Sequence, residues 1–229
     1  MHWCCLTLAG AAAVVITTGA AVTPLQGGTS SDWRLDNLER IGGHPVILVG
    51  NPRVVPTDFG PSIVFDGRDD GLFLDVNPLH GLTRFTVEIV FQPAPDGPEE
   101  QRFLHIEEPA TGNRALIELR RHADTSWALD TYLRSGDAGL TLLDHSRTHP
   151  ANRWHVAALT YDGKTMRHYV GGRIELSGDT VFAALTGGRT SIGMRQNRVS
   201  WFKGLIHSIR ITTEALPPAR LLTVGNVPR

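Results

Sequence analysis

From residue 62 onward, short runs of β-branched and aromatic residues alternate with clusters of Gly, Pro, Asp and Asn. The apolar-rich runs fall at 62–65, 72–76, 83–92, 101–107, 114–121, 126–134, 140–144, 154–161, 165–170, 190–194 and 201–211. Strands of this length, at this spacing and punctuated by turn residues, predict an all-β chain folded as a two-sheet antiparallel sandwich. The one helical expectation is a short turn over 217–222, opened by Pro217 and Pro218.

Residues two apart share a face of a strand, so alternation separates core from surface. Phe85, Val87, Ile89 and Phe91 form one apolar row. Leu104 with Ile106, then Ala115, Ile117 and Leu119, then Trp127, Leu129, Thr131 and Leu133 continue it through three successive strands. Val87, Ile117, Leu129 and Ile192 are expected to be buried. The opposite faces carry Phe103, His105 and Glu107, then Glu118 and Arg120, then Asp130, Tyr132 and Arg134. Sequential strands are usually neighbours, so these three should pair as a meander and join their polar faces into one surface. An aromatic ring, an imidazole and both signs of charge on one surface suit ligand binding better than simple solvation does. That surface is expected to be exposed, so replacing Arg120 and Tyr132 together with Ala should cost binding and leave stability nearly unchanged. A second candidate is the run from Arg195 to Trp201, which brings Arg195, Asn197, Arg198 and Trp201 into one loop. Guanidinium and amide groups hydrogen-bond sugar hydroxyls or carboxylates, and an indole face stacks on a pyranose ring.

The 229 residues contain 22 Lys+Arg against 23 Asp+Glu, a formal net charge of -1. This balance argues against a nucleic-acid partner, which usually selects a basic surface. Residues 6–22 are apolar, small and free of ionisable side chains, the composition of a secretory h-region, with cleavage expected near Ala20 or Ala21. The preceding n-region offers only the terminal amine and His2. A membrane anchor is the competing reading, but the run is short and diluted by Ala, Gly and Thr. The organisation expected is a signal peptide at 1–21, a linker at 22–32, one domain at 33–224 and a tail at 225–229. The product is expected to be secreted or periplasmic, with no stable membrane anchor. Cys4 and Cys5 are the only cysteines and lie in the targeting segment. Disulfide, thiolate and zinc-thiolate chemistry would therefore be absent from the mature chain.

The stretch WHVAALTYDGKTMRHYVGG at 154–172 resembles the hairpin of laminin-G-like (LamG) domains. Ser191-Ile192-Gly193, the run WFKGLIHSIRI from Trp201, Ala215-Leu216-Pro217-Pro218 and the early Phe65-Asp66-Gly67-Arg68-Asp69-Asp70 follow in matching order. The resemblance implies a concanavalin A-like jelly roll and, for function, a lectin-like binding module. Its expected partner is a glycan or an extracellular or cell-surface protein. In the closing strand the family often carries Asp-Glu where this chain has His207 and Ser208. That departure weakens the calcium binding that the resemblance implies, to which Asp66, Asp69 and Asp70 could still contribute. The alternative for those carboxylates is to cap their own turn.

Hydrolase signatures are missing: no Gly-x-Ser-x-Gly elbow, no His-Glu-x-x-His pair and no Glu-x-Asp-x-x-Glu run. Gly163-Lys164-Thr165 ends like a phosphate loop, but Ala158 replaces the required glycine, and a hairpin turn is expected. His105 with Glu107 could bind metal or move protons. Ile117-Glu118-Leu119-Arg120 resembles part of the arginine strand of jelly-roll alginate lyases, whose other motifs are not found. His168 replaces the family's usual aliphatic residue and is expected to be a hydrogen-bonded, partly buried histidine. The function expected is binding without catalysis. A polysaccharide lyase or glycoside hydrolase acting on an acidic glycan, and a structural or adhesion role, are the alternatives.

Overall fold

A computed structural model describes residues 1–2 and 28–228. The expected signal peptide from residue 3, both cysteines and most of the expected linker lie outside the described residues. The strands, in chain order, begin with β1 (Ser30–Arg34), β2 (Arg40–Ile41), β3 (His44–Pro45), β4 (Ile47–Val49), β5 (Arg53–Val55) and β6 (Ser62–Asp66). Then come β7 (Gly71–Leu74), β8 (Phe85–Pro93), β9 (Glu100–Glu108), β10 (Asn113–Arg121), β11 (Ser126–Ser135) and β12 (Ala138–Leu143). The last are β13 (His149–Pro150), β14 (His155–Tyr161), β15 (Thr165–Val170), β16 (Arg173–Asp179), β17 (Arg189–Ile192) and β18 (Lys203–Thr212). A 3-10 turn, Pro218–Arg220, stands where the proline pair predicted one.

Two eight-stranded antiparallel sheets result. The first runs β16-β15-β14-β8-β18-β6-β5, with β1 also on β18; the second runs β12-β11-β10-β9-β17-β7-β4, with β13 on β11. The β9–β10–β11 meander forms as expected. All four residues named as core markers, Val87, Ile117, Leu129 and Ile192, are buried between the sheets. The Gly-Lys-Thr run is the β14–β15 turn, where Gly163 takes φ +98° and Asp162 accepts the N–H of Lys164 and Thr165 at 3.0 and 2.8 Å. His168 points inward and is hydrogen-bonded to Thr131 of the other sheet at 3.0 Å. Burial holds its imidazole neutral, down to about 4.

One expected face is corrected. Alternation assigns Phe103 to the polar surface, whereas it is fully buried and stacks on Phe91 at 4.5 Å between ring centroids. Trp127 meets Phe91 at 5.3 Å and Phe202 meets Phe103 at 5.7 Å, so four rings join the two sheets here. The cause is a β-bulge: Ile117 pairs with Leu104, but the next residue, Glu118, pairs with Arg102. The extra residue lets Phe103 and Leu104 both point inward and turns Arg102 outward.

The strands that were not foreseen are β1 to β5, β13 and β16, mostly short or half-exposed edge pieces. Ser30, Ser31 and Asp32, read as linker, pair with Thr212, Ile211 and Arg210 of β18. Residues read as a tail also lie on the fold, with Val227 buried and the Pro228 carbonyl accepting from Arg34 Nη1 at 2.7 Å. The segment from Leu216 to Val227 covers the outer face of the first sheet, where Leu216, Leu221, Leu222 and Val227 pack on Val90, Val156, Ala158 and Tyr169. Under it, the buried Glu88 carboxylate receives Arg210 and the Leu222 N–H, each at 2.5 Å. The outer face of β9–β11 is left as the polar one.

Phe103→Ala is expected to destabilise the fold by about 3–5 kcal/mol, as for other buried aromatics. Urea denaturation would show it. A change within about 0.5 kcal/mol would mean that the ring is exposed and the bulge is not there.

Candidate functional site

The register sets four cross-strand rows on the outer face of β9, β10 and β11. They are Glu100, Arg120 and Ala128; Arg102, Glu118 and Asp130; His105, Leu116 and Tyr132; and Glu107, Arg114 and Arg134. In the middle of them lies a cavity of about 180 Å³ lined by Arg102, Arg114, Leu116, Glu118, Arg120, Asp130, Tyr132, Thr141 and Arg195. Five residues singled out in the sequence, Glu118, Arg120, Asp130, Tyr132 and Arg195, thus meet around one depression. Arg102, Arg114, Leu116 and Thr141 were missed. Arg114 and Leu116 carry the correct parity on β10, but an apolar residue and an edge-of-strand arginine gave no reason to single them out. Arg102 reaches the face only through the bulge.

Much of this face is not open to water, contrary to the reading of an exposed surface. Glu118 and Asp130 sit directly opposite each other, with side chains only 4% and 1% exposed. Two such carboxylates repel, and the cluster holds because guanidinium groups interleave with them. Arg120 reaches Asp130 Oδ2 through Nε at 2.8 Å and Nη2 at 2.6 Å, and Glu100 Oε2 through Nη1 at 2.6 Å. Arg102 Nε lies 2.9 Å from Glu118 Oε2, and its Nη1 contacts Glu100 Oε1. Burial first, and the neighbouring Asp130 charge second, push the Glu118 carboxyl up to about 7, against the pull of Arg102 and Arg120. Burial also raises Asp130 despite Arg120.

His105 lies fully buried beside the cavity. Its Nδ1 accepts the Gln196 backbone N–H at 3.1 Å, so that nitrogen carries no proton, and Nε2 faces Glu107 Oε2 at 3.5 Å. Burial, reinforced by the charges of Arg195, Arg114 and Arg102, lowers its pKa to about 3. A histidine so placed anchors a loop; it stays neutral at ordinary pH. The anchored loop is the Arg195–Trp201 run, tied also by the Arg102 N–H donating to Ser200 O at 2.9 Å. Arg198 and Ser200 adopt φ of +60° and +55°, which turn the chain back toward β9. The loop brings Arg195 into the cavity lining, while Asn197 and Arg198 stay exposed and Trp201 is half-buried outside it. Arg134 stands opposite Arg114 and donates through Nε to Gly136 O at 3.1 Å.

Asp66, Asp69 and Asp70 bring carboxylate oxygens within 4.8 Å of one another. Two of the three are engaged by the backbone. Asp66 Oδ1 accepts the N–H of Arg68, Asp69 and Asp70 at 2.8, 3.2 and 3.3 Å, and Asp70 accepts those of Asn51 and Asp66 at 2.7 and 3.1 Å. His207, at the departure from the family pattern, is the bulge residue of β18, with Nδ1 3.2 Å from Ser62 Oγ.

A family profile of the laminin-G type, described as the concanavalin A-like lectin/glucanases superfamily, matches residues 66–221. The chain belongs to this superfamily. No curated protein sequence matches it. Among solved structures, this concanavalin A-like chain is similar to domain 4 of AbnA, an extracellular GH43 arabinanase from Geobacillus stearothermophilus in complex with arabinotriose. The TM-score is 0.62 at 19% identity, over 85% of this chain and 97% of that one. The CBM40 of the Ruminococcus gnavus IT-sialidase, bound to α2,3-sialyllactose, gives 0.53 at 16% identity over 76% and 96%. The binding domain of botulinum neurotoxin DC gives 0.61 at 11% identity, covering 83% of this chain and 49% of that one. These likenesses establish the jelly-roll sandwich.

Removing Arg120 strands the buried Asp130, so Arg120→Ala is expected to destabilise the fold by on the order of 2 kcal/mol or more. Tyr132→Phe should be nearly neutral. Thermal unfolding of the two variants checks this. Glu118 keeps its proton up to about 7 in the fold, against an ordinary 4.5. The folded state then binds more protons across that window, and this group makes the fold less stable as pH rises through it. Glu118→Gln should remove that component, so its stability relative to the parent should improve from pH 4.5 to about 7. A pH-independent difference in urea denaturation would contradict the raised pKa.

Proposed function

We propose that the chain is an exported glycan-binding module that seats its ligand on the outer face of β9–β11 and performs no chemistry on it. The observation carrying this reading is the cavity in that face, where guanidinium donors, carboxylate acceptors, the Tyr132 ring and the Thr141 hydroxyl meet in one lining. Sugars present hydroxyls that both donate and accept beside apolar ring faces, and such a mixed surface is complementary to them. The superfamily supports the reading, as do two structural neighbours whose complexes hold arabinotriose and α2,3-sialyllactose. No metal enters the proposal, because the backbone already engages Asp66 and Asp70.

One observation favours a second reading. Glu118, holding its proton up to about 7 next to Asp130, has the protonation expected of the acid in a two-carboxylate glycosidase. Against it, Arg102 and Arg120 hold these two carboxylates in ion pairs.

A glycan array probed with the purified chain, followed by incubation with neutral and uronic-acid polysaccharides, separates the two. The expected outcome is binding that survives EDTA, with no new reducing ends or unsaturated products. Product formation abolished by Glu118→Gln would replace the binding reading with the enzymatic one. Glycan binding lost on Trp154→Ala and retained in Tyr132→Ala would move the site to the groove around Phe59, Asn152 and Trp154.

A further inference from the structure

Cations and anions around the cavity are unequally matched. Arg102 and Arg120 are committed to Glu100, Glu118 and Asp130. Arg114 and Arg195 are not. Arg114 has only Glu107 at 4.0 Å, a carbonyl contact from Nη1 to Gly112 O at 3.0 Å, and the Tyr132 ring 5.2 Å from its guanidinium carbon. Its Nε is buried without a hydrogen-bond partner. Arg195 lines the cavity with no carboxylate within ion-pair distance among the described residues.

The same side of the cavity contains a pairing that works against stability. Arg114 stands directly opposite Arg134 in the β10–β11 register, where like charges destabilise a sheet. Burial, with the charges of Arg195 and Arg134 behind it, pulls the Arg114 pKa below its ordinary value. An anion between these guanidinium groups would relieve the repulsion and satisfy the idle donor. Across the cavity the complementary need appears, since Asp130 Oδ1 is buried with no donor. The cavity therefore lacks a negatively charged acceptor on one wall and a hydroxyl donor on the other. A planar carboxylate matches the guanidinium fork, and a ring hydroxyl a few bonds away matches Asp130.

We infer that the cavity takes a carboxylate-bearing sugar, a uronic or sialic acid residue, with its carboxylate between Arg114 and Arg195 and a hydroxyl donating to Asp130. This rests on the glycan-binding reading and narrows it to an acidic ligand class.

Calorimetric titration of the full chain with uronic- and sialic-acid oligosaccharides, beside their carboxyl-reduced counterparts, tests it. Reduction of the carboxyl is expected to weaken binding by about tenfold or more, as loss of a charged hydrogen-bond pair does. Arg195→Gln and Arg114→Gln should each reproduce that loss, and affinity should fall with added salt. Arg198→Gln, on the same loop but outside the cavity, should bind like the parent. If Arg114→Gln fails to fold, Arg195→Gln and the salt dependence decide. Equal affinity for acidic and reduced sugars, or full affinity in Arg195→Gln, overturns the inference. Inorganic sulfate competing as well as the sugar acid overturns the sugar assignment. Binding of neutral sugars alone leaves the glycan-binding reading standing and removes the acidic one. Binding of neither removes both.

Discussion

The extra residue at Phe103 determines how the two sheets and the polar face fit together. In a regular β9 the phenyl ring would point to solvent, and Arg102 would point into the sandwich. With the bulge, Phe103 reaches Phe91 across the interior, in the ring cluster completed by Trp127 and Phe202, while Arg102 lands beside Glu118. One backbone irregularity thus supplies the aromatic joint between the sheets and the cation that lets Glu118 and Asp130 be buried opposite each other. Four buried rings are among the largest apolar contributions available to a domain of this size. The charged cluster is therefore built on a rigid floor.

The two sheets treat their outer faces differently. On the first, the chain from Leu216 to Val227 lies across β8 and β14, and Glu88 is closed off under Arg210 and the Leu222 N–H. On the second, the Arg195–Trp201 loop reaches only the rim, anchored by a histidine that burial keeps uncharged. Charged groups on this face are partly desolvated, which strengthens whatever contacts they make and raises the penalty for those left unmatched.

Much of the sandwich was legible from period-two alternation. Long, strongly apolar strands such as β8, β10 and β14 declare themselves, since burying a face demands it. Edge strands such as β1 and β16 are held by backbone pairing, for β1 to a neighbour far off in sequence, as Ser30 is to Thr212, and their side chains carry little signal. The meander, and with it the gathering of Glu118, Arg120, Asp130 and Tyr132, also followed from strand order. The bulge did not, because it depends on how Phe103 packs against residues of the other sheet. The position of Arg195 depended on the His105–Gln196 contact, which joins residues far apart in the chain. The burial of the charged residues escaped the sequence, since such residues read as exposed until their partners are known.

The pairing of Arg120 with Asp130, and of Arg102 with Glu118, has a consequence for how such a face diversifies by descent. Losing Arg120 leaves the buried Asp130 without its cation, a cost that falls on the fold itself. Arg120 and Asp130 therefore change at least cost to the fold when they change together. Among the described residues Arg195 has no such partner, and Arg114 only a distant one. The cationic rim of the cavity therefore tolerates single substitutions better than the Arg120–Asp130 side does.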